Sequence, residues 1–241
     1  MIMETKLPHY IHKIKALREI TRSTLLTNDF LMNTEANLSM YYAPHNEYVN
    51  TEAHIVLVGL TPGWNQMQTA YTQLLNSLKE EKQIEKLLQD AKLTARFSGS
   101  MRHNLISMLN ELELTKVLPI SSTEELFSTN HTLLHTTSII KYPVFYNGAN
   151  YTGYRPTIHQ SNLLKTYAYQ KFPEELKQLK NKTLIIPLGK AVENALYQLP
   201  ESKHMFIHGF PHPSGANGHR VKQFKQNKAD LIEQIHHWHT S

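Results

Sequence analysis

The sequence contains no cysteine among its 241 residues. Disulfide bonds, thiolate zinc sites and cysteine-bound iron–sulfur clusters are therefore excluded. It also contains no apolar run approaching the roughly 20 residues that a transmembrane helix requires. Residues 1–15 are mixed polar and basic and lack the apolar centre of a signal peptide. We therefore expect a cytoplasmic protein that makes no membrane contact.

The sequence also lacks the glycine-rich patterns that bind nucleotides. Neither G-x-x-x-x-G-K-[ST] nor G-x-G-x-x-G is present, and these are the loops that cradle nucleotide phosphates. His131 and His135 have the spacing of two zinc ligands on a metalloprotease helix, but the glutamate of that motif is missing. We expect no metal ion, no nucleotide and no other cofactor.

The composition is that of an ordinary globular protein with a modest excess of positive charge. Hydrophobic residues make up 40% of the chain, and its length suits one α/β domain. The net charge of +5 is compatible with nucleic-acid binding but does not require it. Four basic residues near the C-terminus either contact phosphates or form a solvated helix face: Arg220, Lys222, Lys225 and Lys228. We expect a monomer.

Apolar and β-branched segments alternate with segments of helical periodicity. Strands are predicted at residues 55–58, 136–142, 183–188 and 204–208. Helices are predicted at residues 67–78, 83–93, 100–112, 161–172, 189–199 and 221–238. This alternation predicts an α/β fold, a three-layer α/β/α sandwich with a central four-stranded parallel sheet. We expect a single domain over residues 1–241, in which residues 1–50 are a helical N-terminal extension. Residues 143–156 are expected to form an aromatic loop with a turn at Asn147-Gly148.

Two loops that follow predicted strands carry the most specific pattern. Gly59-Leu-Thr-Pro-Gly63 follows the first strand, and His212-Pro-Ser-Gly-Ala-Asn217 follows the fourth. The carboxyl ends of parallel strands are where α/β sheets present their chemistry. In this order, the loops resemble the G-x-x-P-G and H-P-S-G-x-N motifs of the uracil-DNA glycosylase superfamily.

The resemblance extends to segments between the two loops and is nearest to the iron–sulfur and single-strand-selective uracil glycosylases. The segment that begins at Phe97 resembles the F-x-G-x(5)-L segment of the iron–sulfur enzymes. Thr137-Ser-Ile-Ile-Lys141 resembles their T-N-V-V-K strand, and Ile185-Ile-Pro-Leu-Gly-Lys190 resembles the step before the last motif. The cysteines that hold their cluster are absent from this chain.

The resemblance implies a monofunctional DNA glycosylase that flips a nucleotide out of duplex or single-stranded DNA and leaves an abasic site. His212 would donate a hydrogen bond to the departing base, and Thr61 stands where relatives hold or activate water. The residues implied to bind the base are Gly59, Pro62, Gly63, Trp64, Phe97 and Ser138. Those implied to contact DNA are Ser214, Gly215, Ala216, Asn217, Arg220 and Lys222.

Three departures from the family pattern bear on the substrate. Thr61 is a poor general base, because a hydroxyl ionises far from neutral pH. Ser138 replaces the asparagine that contacts the uracil edge, and Ala216 replaces an intercalating leucine. The small residues favour a bulky modified cytosine, such as that in phage DNA, over uracil, and hence a role in anti-phage defence. The alternatives are a uracil or mismatch repair glycosylase and a non-catalytic base sensor. We expect Thr61, Ser138 and His212 to line one cleft.

Overall fold

The computed structural model describes residues 5–97 and 100–241. Contacts between residues divide the chain into two compact units. The first comprises the described residues up to Val49 together with Leu60–Arg96 and Ser138–Gln178. The second comprises Asn50–Gly59, Phe97–Thr137 and Leu179–Ser241. The expectation of a single domain over residues 1–241 stays a prediction.

The described residues contain both helices and strands. The helices are α1 (Leu7–Lys15), α2 (Arg22–Leu25), α3 (Trp64–Ser77), α4 (Ile84–Ala95), α5 (Ser100–Glu111), α6 (Asn162–Thr166), α7 (Phe172–Leu176), α8 (Lys190–Leu196) and α9 (Arg220–Thr240). The strands are β1 (Leu31–Glu35), β2 (Leu38–Tyr41), β3 (Ile55–Gly59), β4 (Leu134–Ser138), β5 (Val144–Tyr146), β6 (Ala149–Asn150), β7 (Leu184–Pro187) and β8 (Met205–Phe206). None of these helices is long and apolar enough to span a bilayer.

The second unit is built on the predicted four-stranded parallel sheet, in the order β4-β3-β7-β8. Ile55 of β3 pairs with Leu184 of β7, which pairs with Met205 of β8. Residues 55–58 are fully buried, as expected for a central strand covered on both faces. The predicted bounds of two strands are wrong. β4 ends at Ser138, and the backbone of Ile140 instead donates to the Leu60 carbonyl. β8 is limited to Met205–Phe206.

The core of the second unit joins this sheet to α5 and α9. Leu105, Met108 and Leu109 recur on one face of α5, as the sequence periodicity predicted. Leu231 and Ile235 on α9 are fully buried in the same cluster. Each such side chain contributes about 1.5–3 kcal/mol when it leaves water. Phe224, near the start of α9, belongs to the same cluster, so packing also holds the part of α9 that follows the His212 loop.

The first unit contains an antiparallel sheet that the sequence analysis missed, in the order β1-β2-β5-β6. The prediction of a helical extension over residues 1–50 is therefore wrong beyond α2. The missed signal is alternation: Leu38, Met40 and Tyr42 are buried at every second position. Residues 143–156, predicted as a loop, contain the β5–β6 hairpin. Its turn at Asn147 and Gly148 is confirmed, with φ angles of 48° and 76° that suit a two-residue hairpin turn.

Candidate functional site

The loop that begins at His212 is entered through a glycine held by two helices. Gly209 has φ 85°, a conformation that other residues rarely adopt. Its backbone N–H donates to Glu193 Oε2 of α8 at 2.7 Å. Its carbonyl oxygen accepts from Asn227 Nδ2 of α9 at 2.7 Å. The direction of the loop is therefore set by side chains of α8 and α9.

The His212 ring is arranged as a neutral hydrogen-bond donor. The backbone N–H of Ser214 donates to His212 Nδ1 at 3.2 Å. Because Nδ1 is an acceptor, the proton of the neutral ring resides on Nε2. The residue is exposed on one side, yet the protein atoms around it lower the pKa of His212 through desolvation. The ring therefore favours its uncharged form more than a free histidine does.

Gly189 lies directly against His212. It has φ 92°, and a Cβ added there would stand 2.9 Å from His212 Cβ. Its backbone N–H donates to the Phe210 carbonyl at 3.2 Å. Both the backbone conformation and the close approach require glycine at this step between β7 and α8. The sequence resemblance singled out this segment without showing that it supports the histidine.

The remaining loop residues fall into two groups. Arg220 Nη1 donates to the Ser214 carbonyl at 2.9 Å, and Asn217 Nδ2 donates to the His212 carbonyl at 3.2 Å. Asn104 of α5 donates to the Pro213 carbonyl at 2.9 Å. These three side chains brace the loop, a role that the sequence did not predict for Arg220 or Asn217. Gly215 and Ala216 are exposed, and Gly215 has open space around it.

The basic residues of α9 are not equivalent. Lys222 and Lys225 are exposed. Lys228 lies 2.9 Å from the Glu111 carboxylate, so its charge is partly neutralised. Of the predicted basic cluster, Lys222 and Lys225 are therefore available to bind a phosphate. Arg220 instead donates to the backbone of the His212 loop.

Phe97 is part of the core of the second unit. It is 7% exposed, and its backbone carbonyl accepts from Arg102 Nε at 2.6 Å. Stacking on a base would require one face of this ring to be reached from outside, so its role in base binding stays a prediction. The glycine of the F-x-G motif, Gly99, lies outside the described residues together with Ser98. Gly59 ends β3 and is half-buried.

Thr61, in the first unit, is occupied by structural hydrogen bonds. Its hydroxyl donates to the Tyr142 carbonyl at 2.9 Å and accepts from the backbone N–H of Val144 at 3.2 Å. Because a hydroxyl has one proton, Thr61 can bind water only by accepting from it. A role of Thr61 in holding or activating water therefore stays a prediction. Thr61 instead joins its loop to the start of β5.

The residues after Thr61 form the start of α3. Pro62 is buried, and Gly63 is its N-cap. The backbone N–H of Trp64 donates to Asn150 Oδ1 of β6 at 3.1 Å. The guanidinium carbon of Arg22 lies 5.1 Å from the Trp64 ring centroid and 5.2 Å from that of Phe145. The Trp64 side chain is therefore half-buried, and its ring makes a cation–π contact with Arg22. Its role in base binding stays a prediction.

Two neighbouring hydroxyls are buried at the carboxyl end of β4. Ser138 is 7% exposed and Thr137 is 4% exposed. Thr137 Oγ1 has no hydrogen-bond partner among residues 5–97 and 100–241. A buried hydroxyl is rarely left unpaired, so Thr137 Oγ1 is a polar atom to which a ligand in this region could donate or from which it could accept. Thr137 was not singled out as a site residue from the sequence. That Thr61, Ser138 and His212 line one cleft stays a prediction.

No family model matches the chain. The chain is 45% identical over 240 residues to a protein of Bacillus subtilis (strain 168) named Uncharacterized protein YoxB. The alignment covers 98% of this chain and 94% of that protein. Identity at this level over nearly the whole length of both proteins shows common ancestry. The chain therefore belongs to the same family as YoxB.

Proposed function

We propose that this protein is a monofunctional DNA glycosylase that flips a modified pyrimidine out of DNA and hydrolyses its N-glycosidic bond. The observation that carries the proposal is the state of His212, which is biased toward the neutral form with its proton on Nε2. A three-layer α/β/α arrangement, as in the superfamily that the motifs resemble, is part of the proposal. The proposal also includes DNA as the binding partner and the cytoplasm as the location of the protein.

In this mechanism, the bond between C1′ of the sugar and the base nitrogen breaks, and its electron pair leaves with the base. Water adds to C1′ and gives up one proton, and the departing base anion takes up one proton, so that a sugar hydroxyl and the neutral free base remain. Negative charge develops on the base oxygen O2 as the bond breaks. An oriented N–H at His212 Nε2 would stabilise that charge by about 3–4 kcal/mol. The neutral ring can act as this donor, because the bond from Ser214 to Nδ1 leaves its proton on Nε2.

The hydrogen bonds of Thr61 favour a second candidate, a non-catalytic protein that binds and senses flipped bases. Both hydrogen bonds of Thr61 join its hydroxyl to the backbone, and a hydroxyl is a poor general base at neutral pH. An excision assay separates the candidates. Duplexes with uracil, thymine mismatches or 5-modified cytosines would be incubated with the protein, and abasic sites would be cleaved by alkali. Binding without strand cleavage on all of these substrates would favour the sensor.

We expect the enzyme to release a bulky 5-modified cytosine faster than uracil. Ser138 offers one rotatable hydroxyl where a uracil enzyme uses a planar amide, and mismatched buried polar groups cost about 1–3 kcal/mol. Ser138→Asn should therefore narrow the site and shift the preference toward uracil. Single-turnover rates on duplexes that differ only in the target base measure this, with the exposed Ser128→Asn as the control. Release of uracil alone by the unaltered protein would favour a repair enzyme over a defence enzyme.

We expect DNA binding to weaken with salt through Lys222 and Lys225. The slope of log K against log salt is negative for such binding. Removing one lysine that binds a phosphate should reduce the magnitude of this slope by up to about 0.9 on duplex DNA. Lys228→Ala should have the smaller effect, because Glu111 already neutralises that charge in part. Fluorescence anisotropy over a salt series measures the slopes. Equal slopes for the Lys222→Ala, Lys225→Ala and unaltered proteins would show that these residues form only a solvated helix face.

A further inference from the structure

A buried glutamate on α8 carries an inference about the loop that begins at His212. Glu193 is 5% exposed. Its Oε2 accepts from the Gly209 N–H at 2.7 Å, and its Oε1 accepts from Lys190 Nζ at 2.5 Å. The spacing of Lys190 and Glu193 along the chain is typical of a solvated ion pair on a helix surface. Burial of the carboxylate and its bond to the backbone distinguish Glu193 from a residue of that kind.

The Glu193 carboxylate takes the place of a strand partner at Gly209. The backbone N–H of Ile207 still donates to the Ile185 carbonyl of β7 at 3.1 Å. Beyond that residue, the Gly209 N–H finds its acceptor in the Glu193 side chain, and the backbone there is at φ 85°. A backbone donor that folding removes from water needs an acceptor. A hydrogen bond to a charged oxygen is roughly twice as strong as a neutral one, so Glu193 is a strong anchor for this turn.

The same helix meets the loop at a second point. The Glu193 N–H donates to the Gly189 carbonyl at 3.1 Å, so the two residues are one helical turn apart. Gly189 lies against His212, where an added Cβ would be 2.9 Å from His212 Cβ. Glu193 thus holds the segment where it enters the loop, and Gly189 limits the position of His212 further along. Because both contacts come from the first turn of α8, their relative position is fixed.

We infer that Glu193 is a positioning residue for His212: its Oε2 accepts from the Gly209 N–H and thereby fixes the segment that carries the imidazole. The inference rests on the proposed function, in which His212 stabilises the departing base. Glu193 is not itself a catalytic residue, because one of its oxygens is bound to Gly209 and the other to Lys190. The position requires a hydrogen-bond acceptor rather than a negative charge, since the group to be held is an uncharged backbone N–H.

Three variants test which property of the glutamate matters. Glu193→Met keeps the length of the side chain and removes the oxygen acceptors, whereas Glu193→Gln keeps one acceptor oxygen and removes the charge. Lys190→Met removes only the exposed partner of the ion pair. We expect Glu193→Met to lower the single-turnover rate of excision by about ten- to hundredfold, because a small displacement of a catalytic group is that costly. DNA affinity should change little. Glu193→Gln should keep most of the rate, and Lys190→Met should match the unaltered protein.

The pKa of His212 gives a second measurement that needs no DNA. Desolvation by the surrounding protein lowers this pKa in the unaltered chain. If the segment moves, the ring becomes more hydrated, so its pKa should rise toward that of a free histidine in Glu193→Met. Glu193→Gln controls for the lost charge and should leave the pKa low. NMR of the ring over a pH series, assigned by comparison with His212→Ala, measures the pKa in folded protein. A loss of global stability alone would lower the midpoint of urea unfolding without changing this pKa.

An unchanged pKa of His212 in folded Glu193→Met would overturn the inference. Equal losses of excision in Glu193→Gln and Glu193→Met would overturn it too, because the charge rather than an acceptor would then be required. If Glu193→Met does not fold, a large loss of excision or a raised pKa of His212 in Glu193→Gln, which keeps the shape of the side chain, would decide against it. If the unaltered protein excised no base, the proposed function would fail, and the NMR titration would still test how Glu193 positions His212.

Discussion

Replacing His212 by alanine should lower the single-turnover rate of excision by about two to three orders of magnitude, with little change in DNA affinity. The hydrogen bond from Nε2 strengthens only as charge develops on the departing base, so its loss raises the barrier without weakening the ground-state complex. Quenched-flow excision and equilibrium binding on the same duplex measure the two effects. His219→Ala, an exposed histidine that follows the same loop, is the matched control.

A loss of less than about tenfold, worth roughly 1.4 kcal/mol, would show that another group stabilises the leaving base. A comparable loss in His219→Ala would point to general disturbance of the loop. If binding and excision fell together, His212 would contribute to affinity rather than to the transition state. Each outcome is distinguishable on one substrate series.

The second large effect is expected from Gly189→Ala. The added Cβ would stand 2.9 Å from His212 Cβ, and the backbone at φ 92° is strained for any residue with a side chain. Strain of this kind costs of order 1–3 kcal/mol, and relief by movement of the loop would displace the histidine from its productive position. We therefore expect a lower midpoint of urea unfolding and a loss of excision of at least about tenfold.

Gly218→Ala is the matched control, because nothing lies within 4 Å of a Cβ added there and its φ is not in the left-handed region. Chemical denaturation and single-turnover rates should be measured on both variants. If the two variants had the same unfolding midpoint and the same excision rate, the close approach of Gly189 to His212 would affect neither stability nor catalysis. A loss of stability with full activity would separate the backbone strain from the position of His212.

Some of the fold could be predicted from local pattern. The apolar run of β3 indicates a strand buried on both faces, and Asn147-Gly148 indicates a hairpin turn, because both signals depend on neighbouring residues alone. The antiparallel sheet could not be assigned with the same ease. β1 is polar and half-exposed, and the pairing of Met40 on β2 with Val144 on β5 joins residues that are far apart along the chain.

The sequence by itself determined the parallel sheet, the loops at its carboxyl ends and the residue types that these loops carry. Only the tertiary structure decided what each side chain does. Burial lowers the pKa of His212 and Ser214 donates to its Nδ1, which leaves the proton of the neutral ring on Nε2, while the Thr61 hydroxyl is engaged with Tyr142 and Val144. The physical reason is common to both: protonation and hydrogen bonding depend on atoms that folding brings together, and such neighbours are not encoded in local spacing.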